Sequence, residues 1–282
     1  SFGYLGLVLL ITEGGMDTRM DLLGEPKTLL TSFFAGCTGV GMPIALSFAL
    51  LCPAFGFSKL EAFATGSALS STSLGTTFSV LGNFNVNGSR ENIMDTTIGT
   101  ILVGVAVLDD IVGLVLSKII ENLSPSHPIT AWTIARPVVV SIVYVCVSAG
   151  IYKFAVVPMV KRWSHMIVRA LMHISYWPLV RKDPRCAGVV AFIAFLSGCT
   201  SIANYIGTSN LVGAFTAGAS MKLTFDVLLK NTKDPELRKS ISLYSPGVSY
   251  GYIKGVVTYV LVPFFFASVG AAMPIKEMFV GR

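Results

Sequence analysis

Asp109 and Asp110 stand side by side inside a long apolar stretch, IGTILVGVAVLDDIVGLVLSKII, at 98–120. About eleven residues flank the pair on each side, so on a helix rising about 1.5 Å per residue both carboxylates lie roughly 16 Å from either end. A helix of this length crosses a hydrocarbon core of ~30 Å. The pair then falls near the midplane, where a charge costs on the order of 3 kcal/mol or more. Packing does not require two acids at that depth. An ion or proton site does.

Of the 282 residues, 53% are hydrophobic and only 13% are charged, about half the charged fraction of a soluble domain. The deficit excludes an ordinary soluble domain. The stretches 29–51, 98–120, 138–157 and 252–273 approach or reach the ~20 residues that span a bilayer. With the shorter or interrupted runs, the fold class is an all-α multi-pass membrane protein of about eight segments. They fall at 1–13, 28–51, 61–83, 97–120, 136–158, 187–205, 208–223 and 252–273. The lipid bilayer is the implied surrounding. Tyr4–Ile11, at the start of the chain, is apolar but too short to span alone. It lacks the basic flank and cleavage site of a signal peptide, so the chain reads as a fragment that begins inside a helix.

Basic residues orient the spans, because cytoplasmic loops carry the excess of Lys and Arg. One set of alternate loops holds fourteen: Arg19, Lys27, Arg90, Lys161, Arg162, Arg169, Arg181, Lys182, Arg185, Lys222, Lys230, Lys233, Arg238 and Lys239. The other set holds four, Lys59, Arg136, Lys276 and Arg282. The first set is therefore expected in the cytoplasm. This asymmetry accounts for the net charge of +6 with no nucleic-acid partner. A glycan on the sequon at Asn87, which falls on the cytoplasmic side, would invert the topology. Residues 161–177 place Trp163, Met166, Ile167, Ala170, Leu171, Ile174 and Trp177 at helical spacing, as in an amphipathic helix along the inner interface; a basic connecting loop is the alternative. The five cysteines show no paired spacing and read as small hydrophobes in helix contacts. No cofactor is implied, and the three histidines do not cluster as metal ligands.

Neighbouring side chains on a helix point about 100° apart, so Asp109 and Asp110 cannot share one proton as a facing dyad. Desolvation and mutual repulsion both disfavour ionisation. A carboxylate tuned toward neutrality holds a proton or a small cation but not both, which is sufficient chemistry for exchange. A dehydrated alkali ion also needs neutral oxygens. The preceding stretch, ATGSALSSTSLGTTFSVLG at 64–82, supplies Ser67, Ser70, Ser71, Thr72, Ser73, Thr76, Thr77 and Ser79. A break near Ser71–Gly75 would expose carbonyls at membrane depth, which is tolerated where backbone lines a cavity. A continuous helix packed through small residues is the alternative.

Five stretches resemble the monovalent cation:proton antiporters with the Na⁺/H⁺ exchanger domain, in particular their two-aspartate branch. LVLLITEGGMDTRM at 7–20 is similar to that family's early apolar run, and SALSSTSLGTTFSVL at 67–81 to its interrupted helix. VAVLDDIVGLVL at 105–116 is similar to its ion-binding helix. LVGAFTAGASM at 211–221 and VPFFFASVGAAM at 262–273 resemble two later signatures. The resemblance implies a partial inverted-repeat antiporter fold with one interrupted helix at about 65–83. It implies core helices within 28–120, a linker helix at 136–158 and scaffold or dimerisation helices within 187–273. It also implies alternating-access exchange of Na⁺ or K⁺ for H⁺, and a homodimer in the full-length protein. Asp110 matches the essential cation- and proton-binding carboxylate. Asp109 matches its lysine-paired neighbour, and Thr72 and Ser73 match positions beside the ion. Neither Lys118 nor Lys254 occupies the partner lysine's expected place.

Three other classes compete. An intramembrane aspartyl protease needs its two acids on different helices facing one water, which this pair does not provide. A receptor fits the segment count but not the glycines and the acid pair. A truncated, non-transporting relative acting through assembly is the stronger alternative. A downstream helix with a central Lys or Arg in the genomic sequence would separate it from a transporter. The choice of cation depends on cavity size and hydration and is not written in the residues.

Overall fold

The computed structural model describes residues 2–17, 26–70, 96–122, 131–163, 166, 184–232 and 234–272. Among these residues the regular structure is entirely helical. Helices α1 (Phe2–Asp17), α2 (Pro26–Phe55), α3 (Lys59–Ser70) and α4 (Thr97–Asn122) come first. Helix α5 starts as Ala131–Ile151, widens into a π-helical turn at Tyr152–Val156 and continues through 157–163. Helices α6 (Pro184–Ile206), α7 (Asn210–Asn231) and α8 (Pro235–Ser242) follow. Helix α9 runs Pro246–Val256, π-helical Val257–Leu261 and Val262–Ala272.

Among the described residues five helices are long and apolar enough to cross a membrane: Leu30–Phe55, Val139–Trp163, Gly188–Ile206, Asn210–Asn231 and Pro246–Ala271. Helix α4, with 26 residues, also has the length to do so. The outer faces carry large apolar side chains, among them Phe34 and Leu50 on α2 and Tyr259 and Phe266 on α9. In a membrane these faces meet lipid, which removes the cost that water would impose. Cys37 and Cys146 are exposed on such faces, not packed in helix contacts as expected. A thiol behaves as a small hydrophobe there too.

The wide turns in α5 and α9 have a common local cause. Tyr152–Val156 ends two residues before Pro158, and Val257–Leu261 ends two residues before Pro263. A proline inside a helix lacks an N–H and crowds the carbonyl four residues earlier. Widening the preceding turn relieves that conflict.

The stretch between the expected segments 208–223 and 252–273 is largely helical. Helix α7 runs on to Asn231, and α8 and the start of α9 fill much of the remainder. The signals are short: Asp234 before Pro235 and Ser245 before Pro246. The Asp234 carboxylate accepts from the Glu236 N–H at 3.0 Å, and the Ser245 hydroxyl accepts from the Val248 N–H at 3.4 Å. Each is an N-cap followed by a proline at the first helical position, where its missing N–H costs nothing. Helix α8 then buries Ile241 with Val160 and Leu228, and Leu237 packs against this cluster.

The chain divides into two compact units. The aspartate unit comprises Thr18–Cys146 and Ala203–Val212, and the terminal unit comprises Ser1–Asp17, Val147–Ile202 and Gly213–Arg282. In the aspartate unit α4 packs against both α2 and α3, and α2 packs against α3. Gly66 on α3 allows the last of these contacts, since a Cβ there would come 2.7 Å from the Ile44 Cα. In the same unit the Ser141 and Thr208 hydroxyls hydrogen-bond at 2.7 Å, both buried. In the terminal unit α1 packs against α9. It also meets α7 at a reciprocal glycine contact: a Cβ on Gly15 would strike the Phe215 carbonyl, and one on Gly218 the Thr12 carbonyl. Small residues that let backbones approach are the usual adhesive between helices in lipid.

Most of the 161–177 stretch read as an interfacial helix lies outside the described residues, as does the sequon at Asn87.

Candidate functional site

Helix α4 carries both aspartates, and its length sets their depth. Asp109 is the thirteenth of its 26 residues, roughly 18 Å from each end of the helix. The side chain is buried, with 6% of its surface exposed, in the unit where α4 packs against α2 and α3. Asp109 is engaged by a polar or charged neighbour, as a buried carboxylate requires. Asp110 follows within the same helix; its side chain lies outside the described residues. So do Thr72 and Ser73 and the whole expected break at Ser71–Gly75. The structure therefore places one of the four sequence-derived site residues in full and the backbone of a second.

The unit that holds Asp109 also buries several hydroxyls. The aspartate unit buries Ser32 and Ser47 on α2 and Ser67 and Ser70 on α3, each at most 5% exposed. Its buried apolar residues on α2, α3 and α4 are modest in size: Val40, Ala62, Ala106, Val115 and Ile119. The Ser32 hydroxyl donates to the Ile101 carbonyl of α4 at 3.3 Å, and the Ser70 hydroxyl to the Ser67 carbonyl at 2.9 Å. Two helices thus bury hydroxyl oxygens in one unit with a deep carboxylate. Oxygen donors of this kind suit a hard cation, and the carboxylate adds the charge and a proton-binding function. Among the described residues no group of three or more His, Cys, Asp and Glu gathers as a metal site.

A second charged constellation lies in the terminal unit and was not found from the sequence. Lys254 Nζ on α9 is 2.8 Å from Glu13 Oε1 on α1. The Tyr250 hydroxyl, one turn earlier on α9, donates to Glu13 Oε2 at 2.9 Å. Tyr250 is buried at 3% exposure and its ring lies against Phe192, with centroids 6.1 Å apart. Both oxygens of the Glu13 carboxylate are thereby fixed by a helix more than 230 positions away in the chain. No local motif announces a contact of that separation. The usable signal was the i, i+4 spacing of Tyr250 and Lys254, which puts a hydroxyl and an ammonium on one face of α9.

The long apolar helices define a helical multi-pass membrane protein. The family model described as "Sodium/hydrogen exchanger, transmembrane" matches residues 2–281, and the chain belongs to that family. Among curated proteins, it is 25% identical over 277 residues to the high-affinity Na⁺/H⁺ antiporter NhaS3 of Synechocystis sp., covering 97% of this chain and 50% of that protein. It is 24% identical over 270 residues to a Na⁺/H⁺ antiporter of Enterococcus hirae, covering 95% of this chain and 58% of that protein. The chain thus spans about half the length of these relatives. Both are named as antiporters, which are transporters and not enzymes.

Proposed function

We propose that the protein to which this chain belongs exchanges a monovalent cation, Na⁺ or K⁺, for protons by alternating access, with both ions competing for the Asp109–Asp110 level of α4. The observation that carries this reading is the burial of Asp109 at mid-length of an apolar helix, in a unit whose α2 and α3 contribute buried hydroxyls. The names of the two antiporter relatives support it.

In this reading Asp110 is the carboxylate that alternately binds proton and cation. Asp109 is its charged neighbour, and Thr72 and Ser73 supply neutral oxygens from the stretch after α3. In this reading the carboxylate holds a proton when no cation occupies the site. An arriving cation supplies the opposing charge and displaces the proton. Because one carboxylate serves both, the two ions cannot cross together in the same direction, and the coupling follows from exclusion. The core helices within 28–120 move against scaffold helices within 187–273, through which a homodimer forms.

The test uses the complete protein in everted membrane vesicles. Cation-driven proton movement is expected to vanish on Asp110→Asn, because an amide can neither release a proton nor neutralise a cation. Exchange persisting in that variant would overturn the assignment.

A further inference from the structure

Two membrane-spanning helices of the terminal unit end together. Asn231 Nδ2, in the last turn of α7, donates to the Lys161 carbonyl near the end of α5 at 3.3 Å. Val160 of α5 is buried with Leu228 of α7 and Ile241 of α8, and Leu237 of α8 packs against them. Helices α5 and α7 therefore reach one membrane face, and the short amphipathic α8 lies across their ends. The cations gathered there outnumber the acids. Lys161 and Arg162 on α5, Lys230 on α7, and Arg238 and Lys239 on α8 are all exposed. Among the described residues the carboxylates at these helix ends are Asp234 and Glu236. Asp234 is engaged on the Glu236 N–H as the cap of α8. A turn deeper, Asp226 sits 4.0 Å from Lys222. The positive-inside bias puts Lys and Arg on one face, but it does not require that three helix ends pack together and pool them.

Exposed apolar surface runs beside the cations. Met159, Trp163 and the helical Met166 follow one another at i, i+4 and i+7, the spacing of one helix face, and are 55%, 52% and 64% exposed. This stripe continues the outer surface of the spanning helix Val139–Trp163, and a tryptophan at a helix end favours the headgroup level of a bilayer. A nucleic acid or an acidic peptide would engage the cations and leave the stripe unused. A molecule with a phosphate at one end and acyl chains at the other matches both halves.

We propose that the joined ends of α5, α7 and α8 form a binding surface for an anionic phospholipid, its headgroup met by the basic side chains of the three helix ends and its acyl chains laid along Met159, Trp163 and Met166. Clusters of Lys and Arg at the ends of membrane helices recognise anionic headgroups in this way. The surface lies wholly within the terminal unit and is independent of the exchange reading, which concerns the aspartates of the other unit.

The experiment uses the purified complete protein in neutral detergent micelles, with every tryptophan except Trp163 replaced by phenylalanine. Brominated phosphatidylglycerol and brominated phosphatidylcholine are titrated in separately, and quenching of Trp163 reads their binding. Phosphatidylglycerol is expected to bind at least about fivefold more tightly, the effect of one basic side chain near an anionic headgroup. That preference is expected to fall toward one in Arg162→Gln/Lys230→Gln/Arg238→Gln. It is expected to persist in Lys59→Gln/Lys153→Gln, which removes exposed cations outside the cluster. Equal binding of the two lipids, a preference that survives the triple variant, or an equal loss in the control variant would overturn the proposal. Displacement of the lipid by millimolar inorganic phosphate or by polyglutamate would assign the surface to another anion and overturn it too. Should the triple variant fail to fold, salt dependence decides. Raising choline chloride from about 50 to about 500 mM is expected to reduce the preference at least about twofold, and a preference indifferent to salt overturns the proposal.

Discussion

Glu13 lends itself to a stability experiment whose ordering follows from geometry. Its carboxylate serves two partners of unequal burial: Lys254 at 2.8 Å, whose side chain is 58% exposed, and Tyr250 at 2.9 Å, which is 3% exposed. An ion pair with one well-exposed member contributes roughly 0.2–1 kcal/mol, because the flexible lysine, close to the end of its membrane segment, reaches the aqueous interface when freed. The tyrosine hydroxyl has no such recourse. Left without its acceptor it costs about 1–3 kcal/mol. Glu13→Ala removes both interactions and should destabilise by about 1–4 kcal/mol in total. Glu13→Gln keeps an oxygen for Tyr250 and loses only the ion pair, so it should cost no more than about 1 kcal/mol. Lys254→Met should resemble Glu13→Gln, since the carboxylate it leaves keeps its tyrosine donor. At roughly 2–4 °C per kcal/mol for a chain of this size, Glu13→Ala should lower the unfolding midpoint severalfold more than either milder variant. Thermal unfolding of the complete protein in one detergent or nanodisc preparation provides the comparison. A midpoint for Lys254→Met as low as that of Glu13→Ala would show that the ion pair dominates and that the reasoning from burial is wrong.

Two further outcomes follow from contacts within single units. Ser141→Ala should leave the buried Thr208 hydroxyl without its partner and cost about 1–3 kcal/mol, while adding Thr208→Val should recover part of that loss, because removing both partners is cheaper than orphaning one; unfolding midpoints of the two singles and the double reveal this non-additivity. Gly218→Val should push α7 away from the Thr12 carbonyl of α1 and cost about 1–3 kcal/mol or more, read as a lower midpoint, whereas Gly251→Ala, at a position with open space around it, should leave the midpoint nearly unchanged.

How far the architecture could be read in advance differs from helix to helix. Helices α2 and α5 announce themselves because about twenty or more apolar residues in sequence admit one membrane structure, and their observed bounds exceed the expected ones by only a few residues at each end. Asp109 was legible for a related reason, since a charge inside such a run has a depth that counting supplies. The C-terminal part of α7 and all of α8 were not. There the hydropathy falls away, and α8 rests on the Asp234 cap and on Ile241 meeting Val160 and Leu228. The π-helical turns depend on a proline's conflict with a carbonyl four residues back, which shifts local geometry without altering apolar character. The Glu13–Tyr250–Lys254 constellation joins opposite ends of the chain, and only the packing of α1 on α9 brings it together. Lys254 had been set aside as the partner of the aspartates; within the terminal unit its carboxylate is Glu13. The hydroxyl stretch at 71–82, with Thr72 and Ser73, lies outside the described residues.

Competition between proton and cation at one carboxylate is tested most directly by proton release on cation binding. The purified complete protein, in weakly buffered detergent solution, is mixed with Na⁺ or K⁺ while pH and cation binding are followed together. Cation binding is expected to release protons in the wild-type protein, and Asp110→Asn is expected to abolish both signals. Cation binding with no proton released, or release that is unchanged in Asp110→Asn, would contradict exchange at this site.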